Sequence, residues 1–107
     1  MYNLRETNDA INDVTALAIY MIDEFKNDIA ALNFLENYDS AIQSLRRFPY
    51  RFRGISIETM GYEIRLKPYD TYNIFFVVNE NKNEIVIIRV LKDLQDWKSI
   101  VFQYVND

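Results

Sequence analysis

The hydrophobic period of this chain changes once, at Phe48-Pro49, and that change restricts the possible folds more than any other feature. Before it, apolar residues recur at steps of three and four. Ile11, Val14, Ala18, Met21, Ile22 and Phe25 form one helical stripe, with Asn12, Asp13, Asp23 and Glu24 largely off it. Thr7 or Asn8 is placed to cap this helix, with Asp9 in its first turn. Lys26-Asn27-Asp28 interrupts the pattern, and Asn27 or Asp28 can open a second helix. Its stripe is Ala31, Leu32, Phe34, Leu35, Tyr38, Ala41, Ile42 and Leu45. Pro49 lacks a backbone donor and disfavours helical geometry at Phe48, so the second helix ends there. So short a break sets the two helices antiparallel.

After Pro49 the period becomes two. Residues 50–61 read as a connection with an uncertain strand start, and Gly54 and Gly61 give it backbone freedom. Tyr62, Ile64 and Leu66 alternate with Glu63, Arg65 and Lys67, a half-buried strand stopped by Pro68. Tyr72–Val78 and Glu84–Leu91 are β-branched and aromatic runs joined by the turn residues 79–83, which makes them a hairpin. Residues 1–5 are extended in character. Trp97, Ile100, Val101 and Tyr104 sit at helical spacing. The expected fold is α+β: an N-terminal strand, a two-helix antiparallel hairpin packed on an antiparallel sheet, and a short C-terminal helix. Its 107 residues suit one domain, 1–107.

The last two strands are apolar on both faces. Simple alternation puts Ile85, Ile87 and Leu91 on one side and Val86, Ile88 and Val90 on the other, opposite Phe75 and Val77. A helical hairpin covers one face only. The other, carrying Phe75, Val77, Val86 and Ile88, is expected to be exposed in part and to be covered by a partner or a homodimer.

What the chain lacks narrows its chemistry. It has no Cys, which excludes disulfides and thiolate chemistry, and no His, the commonest acid–base and metal ligand. No metal or cofactor is expected. The N-terminus does not read as a signal peptide, and no run approaches the roughly 18 apolar residues of a membrane span, so a cytoplasmic protein is expected. The net charge is −4, but residues 46–67 carry six Lys or Arg against two Glu, whereas residues 1–45 carry two against eight acidic residues. A basic middle in an acidic chain is a candidate footprint for an anionic partner. Arg46 and Arg47 suit the end of a helix, where its dipole favours cations; Arg51 and Arg53 have no such role and are candidates for target contact.

Three stretches resemble the RelE/ParE superfamily of type II toxin–antitoxin toxins. They are Ala31-Leu32-Asn33-Phe34-Leu35 through Ala41-Ile42-Gln43-Ser44-Leu45-Arg46-Arg47-Phe48-Pro49, then Tyr62–Pro68 with Tyr72–Val78, then Ile88-Arg89-Val90-Leu91-Lys92-Asp93-Leu94-Gln95-Asp96-Trp97. The last is similar to a ParE-like ending, and the resemblance covers roughly residues 1–98 in order. It implies a toxin that inhibits growth and is neutralised by a cognate antitoxin protein. Two targets stay open: DNA gyrase, bound as ParE relatives do, or the ribosome, with mRNA cut as RelE relatives do. A degenerate, non-toxic member is a third reading. The chain departs from the pattern at Lys92, where many relatives have His, at Gln95 and Asn73, where Arg is usual, and at Glu63 and Asp93, where the RNases have basic residues. The ParE-like Arg89-Val90-Leu91 ending, the lack of His and the loss of basic residues at Glu63, Asn73 and Asp93 favour the gyrase reading.

If the chain cuts RNA, it must do so without His. Lys or Tyr would move the proton and Arg would stabilise the phosphorane charge, which makes Arg65, Lys67, Tyr72 and Lys92 the catalytic candidates. Arg51, Arg53, Arg89, Asp96 and Trp97 are the target-binding candidates. Phe75, Val77, Val86 and Ile88 are the antitoxin-binding candidates.

Overall fold

In a computed structural model, which describes residues 1–93 and 97–106, five strands form one sheet in the order β1-β5-β4-β3-β2. The strands are β1 Asn3–Glu6, β2 Gly54–Thr59, β3 Tyr62–Tyr69, β4 Tyr72–Asn79 and β5 Glu84–Lys92; the helices are α1 Asn8–Phe25, α2 Asp28–Ser44 and α3 Trp97–Asn106. β2 to β5 are antiparallel, and β1 adds to the β5 edge in parallel.

Local chemistry explains the helix boundaries. Thr7 caps α1, its Oγ1 accepting from the Ala10 amide at 3.1 Å and donating to the Ile88 carbonyl at 3.0 Å. One hydroxyl thus starts the helix and ties it to β5. Asn27 caps α2, its Oδ1 accepting from the Ile29 and Ala30 amides at 3.0 and 3.1 Å. Lys26, between the helices, is left-handed, which turns the chain back on itself.

The buried helical stripe is narrower than the spacing predicts. Ala10, Val14 and Ala18 of α1 and Ala31, Phe34, Tyr38, Ala41 and Ile42 of α2 meet Tyr72, Ile74, Phe76, Val78, Ile85, Ile87 and Val90 of the sheet. Ile11, Ile22, Phe25, Leu32 and Leu35 stay outside this core, at 39–62% exposure. They lie on the flank of each stripe, where a flat sheet does not reach.

Residues 50–61 hold more structure than a loop. Pro49–Arg51 make one turn of 3-10 helix, and β2 follows. β2 escapes a periodicity search because its pairing with β3 shifts between Gly54 and Glu58, and Ser56 is left-handed there. Met60 and Gly61 both have positive φ, the geometry of a two-residue hairpin turn. β3 also passes through Pro68 rather than stopping at it. The Leu66 amide donates to Arg53 on the β2 side. The Pro68 nitrogen, two residues on, faces the same side, beyond where β2 begins. It lies on a free edge where no donor is needed.

The second face of the sheet is closed within the chain. Phe75, Val77, Val86 and Ile88 are at most 1% exposed, packed with Ile64, Leu66, Leu91 and Val101, and flanked by Ile55 and Ile57 of β2 and Trp97 and Ile100 of α3. The expected apolar patch is therefore absent from this face. The missing cover is β2 and α3 together, and β2 was the strand the sequence left uncertain. A β-bulge corrects one more assignment. Phe75 pairs with Arg89 but Phe76 pairs with Ile87, so Ile88 is extra. Past the bulge the alternation inverts, and Val90 joins the helical face while Leu91 joins the other.

Candidate functional site

The bulge in β5 organises the first cluster. It frees the Val90 amide from the ladder, and the Asp13 carboxylate accepts it at 2.9 Å. The same carboxylate takes the Arg89 guanidinium side-on, at 2.7 and 2.9 Å from Nε and Nη2. Arg89, a target-binding candidate, is thus held against α1 with its side chain 22% exposed. Asp13 is 76 residues away in sequence, so no local pattern announces it.

A second cluster gathers where residues 46–53 cross β3. Arg65 lays its guanidinium over the Tyr50 ring at 4.7 Å and donates to the Phe52 carbonyl at 2.8 Å. Lys67 sits over the Phe52 ring at 4.7 Å, and Arg51 over the same ring at 4.9 Å. Burial, then the nearby Arg51 charge, lowers the pKa of the Lys67 ammonium. Tyr2 and Tyr50 both donate to Oε1 of Glu80. Those bonds hold the Glu80 carboxyl below its usual range and, for Tyr50, add to burial in raising the phenol. Sequence reasoning found Arg51, Arg53, Arg65 and Lys67 here. It missed Tyr2, Tyr50, Phe52 and Glu80, although the alternation of aromatic rings and arginines over 48–53 was visible.

The other catalytic candidates lie elsewhere. Tyr72 is 9% exposed, with its ring 5.1 Å from Phe34 of α2, and burial raises its pKa. Lys92 pairs with Tyr72 in register but reaches over the Tyr20 ring of α1 at 5.1 Å. Arg65 and Lys67 are thus together under the aromatic segment, while Tyr72 belongs to the core and Lys92 to its rim.

Trp97 opens α3 and packs on Phe75, ring centroids 5.3 Å apart. With Ile55, Ile57, Lys98 and Ser99 it lines a cleft of about 430 Å³. Asp96 lies outside the described residues. Among the described residues no three acidic side chains gather as a metal site, and no helix is long and apolar enough to cross a membrane.

Comparisons agree with this architecture. The family model for the ParE toxin of the type II toxin–antitoxin system parDE matches residues 4–97. The chromosomal ParDE system from P. aeruginosa is similar in fold at a TM-score of 0.70 and 20% identity, covering 87% of this chain and 97% of that one. The isolated E. coli RelE toxin gives 0.61 at 12% identity, over 98% and 99%. The RelBE2 toxin–antitoxin complex from Mycobacterium tuberculosis gives 0.59 at 18% identity, over 88% and 93%. The comparison with curated proteins found no match. With a family match over most of its length and the fold of those structures, the chain belongs to the ParE toxin family of type II toxin–antitoxin systems.

Proposed function

We propose that this toxin arrests growth by binding DNA gyrase as a protein ligand rather than by cutting RNA. The supporting observation is the separation of the catalytic candidates. Arg89 is clamped by Asp13, and the catalytic candidates fall into two pairs: Tyr72, packed under Phe34, with its cross-strand partner Lys92 beside α1, and Arg65 with Lys67 under Tyr50 and Phe52. A binding toxin needs no assembled acid–base pair. Arg51, Arg53 and Trp97 remain target-contact residues in this proposal. Purified toxin added to gyrase and plasmid should accumulate cleaved DNA; full supercoiling of relaxed plasmid, with no cleaved DNA, at saturating toxin refutes the reading.

One observation favours the ribosome-dependent RNase as second reading. Lys67 lies next to Arg65 on β3 and over the Phe52 ring, and burial, then the Arg51 charge, lowers its pKa in the direction that proton transfer by a lysine needs. Cleavage of ribosome-bound mRNA that is lost in Lys67→Ala would establish it.

The closed sheet face moves the antitoxin contact in this proposal. The outer side of the helical hairpin exposes Ile11, Ile19, Ile22, Ile29, Leu32 and Leu35 at 39–68%. The same two helices expose Asp9, Asp23, Glu24, Asp28, Glu36 and Asp39, with Lys26 as the one opposing charge on the helices and their link. Such a surface suits an amphipathic antitoxin segment with apolar residues along one face and Lys or Arg beside it. Contact with Phe75, Val77, Val86 and Ile88 would require α3 to leave first.

A further inference from the structure

The eight residues Arg46-Arg47-Phe48-Pro49-Tyr50-Arg51-Phe52-Arg53 hold four arginines and three aromatic rings. A gyrase-binding surface does not explain what the backbone does here. Phe48 is left-handed, at φ 53°, directly before a proline. That conformation is strained for a bulky side chain, and more so before proline. Its result is a phenyl ring 76% exposed, the highest value among the large exposed hydrophobic side chains described. Such strain persists only where the surroundings hold it in place. Here they do. Arg46 donates to the Tyr2 carbonyl at 2.8 Å, the Tyr2 amide donates back to the Arg46 carbonyl at 3.0 Å, and Pro49 is buried.

Tyr50 is presented in a similar way. It is 51% exposed, its hydroxyl is fixed on Glu80, and one ring face is covered by Arg65. Phe52 holds the segment to the core through an edge-to-face contact with Phe76, ring centroids 6.2 Å apart. A cleft of about 540 Å³ opens beside these rings, lined by Met1, Tyr2, Arg47, Phe48 and Tyr50 among others. Among the described residues, Arg47, Arg51, Arg53, Arg65 and Lys67 have no carboxylate partner, whereas Arg5 and Arg89 each have one. Five cations without counter-charges, beside two outward rings, form a surface for a polyanion whose units carry flat faces.

We propose that residues 46–53, with Arg65 and Lys67, bind single-stranded nucleic acid. Phe48 and Tyr50 stack on bases, and the cations follow the phosphodiester backbone. An acidic peptide would satisfy the cations equally well. It gives no reason to hold a phenyl ring in water on a strained backbone, and the rings therefore decide for nucleic acid. In a duplex the bases are already stacked on each other, so the rings favour a single strand.

The test is fluorescence anisotropy of labelled oligo(dT) and oligo(U) of about a dozen nucleotides with the full chain. Both should bind at about 50 mM salt, more tightly than a duplex of equal length, and weaken as salt rises. Equal binding means that backbone and base faces are read; preference for oligo(U) means that the 2′-hydroxyl is read as well. Both support the site. Phe48→Ala and Tyr50→Ala should each weaken binding by about 5- to 150-fold without changing the salt slope. Arg51→Gln and Arg53→Gln should each reduce the slope by about 0.7. Thermal melts of the four variants near that of the wild type would locate the loss in the surface. The absence of binding at about 50 mM salt overturns the proposal. So does binding that Phe48→Ala and Tyr50→Ala leave unchanged, or displacement by poly-glutamate as effective as by unlabelled oligonucleotide.

Discussion

Replacing Asp13 tests whether the β5 bulge and α1 are one structural unit. The carboxylate holds three donors, the Nε and Nη2 of Arg89 and the Val90 amide. Val90 is 2% exposed, so in Asp13→Ala its amide has no water to turn to. An unsatisfied buried donor costs about 1–3 kcal/mol. Loss of the ion pair adds about 1 kcal/mol, a modest figure because both side chains keep some solvent contact, at 22% and 15%. The expected destabilisation is therefore roughly 2–4 kcal/mol, or a fall in Tm of about 10–25 °C for a chain this size. Asp13→Asn separates the two contributions. Its amide oxygen still accepts from Val90, while the charge on Arg89 is no longer met. Urea denaturation should place Asn at least about 1 kcal/mol above Ala. Equal losses in the two variants, or a loss under about 0.5 kcal/mol in Asp13→Ala, would refute the argument that Asp13 replaces a missing ladder bond.

Three further outcomes are expected. Tyr38→Phe removes a 2.9 Å hydrogen bond to Glu6 and should cost about 1–2 kcal/mol at neutral pH. Burial, then the Glu6 bond, raises the Tyr38 phenol; the folded state holds this proton more tightly than the unfolded one, so the contribution is complete below about pH 10 and is lost as pH rises above it. Tyr38→Phe should therefore show a smaller alkaline fall in urea midpoint than wild type. Phe75→Ala, at 0% exposure beneath Trp97, should cost about 3–5 kcal/mol by calorimetry, and a cost under about 1 kcal/mol would mean that this face is not a closed core. Leu32→Glu, at 58% exposure, should leave the melting temperature nearly unchanged while weakening the complex with the cognate antitoxin by tenfold or more in calorimetric titration.

The sequence carried the fold where periodicity is local and unbroken. The stripes of α1 and α2, the caps at Thr7 and Asn27, and the Tyr72–Val78 and Glu84–Leu91 hairpin all follow from contacts within a few residues. It failed where one residue changes the count. The bulge at Ile88 exchanged the faces of Val90 and Leu91, and the left-handed Ser56 hid β2. The second failure had the larger effect: without β2 the Phe75 face had only α3 to cover it, and it read as a partner surface. Of the candidate site, the cations of 46–67 were legible because charge density is visible in one dimension. The groups that orient them were not. Asp13 meets Arg89 across 76 residues and Tyr2 meets Glu80 across 78, and a polar residue beside an apolar stripe looks the same whether it faces solvent or an arginine.

A ParE-family chain whose catalytic candidates lie in two separate pairs acts, in this proposal, on gyrase by binding. A single comparison decides it: purified toxin incubated in parallel with gyrase and supercoiled plasmid, and with translating ribosomes on a defined mRNA. Gyrase-linked DNA cleavage should rise with toxin, be abolished by equimolar cognate antitoxin, and leave the mRNA intact. Cut mRNA with gyrase activity untouched would contradict it and assign the toxin to the surface of Arg65 and Lys67.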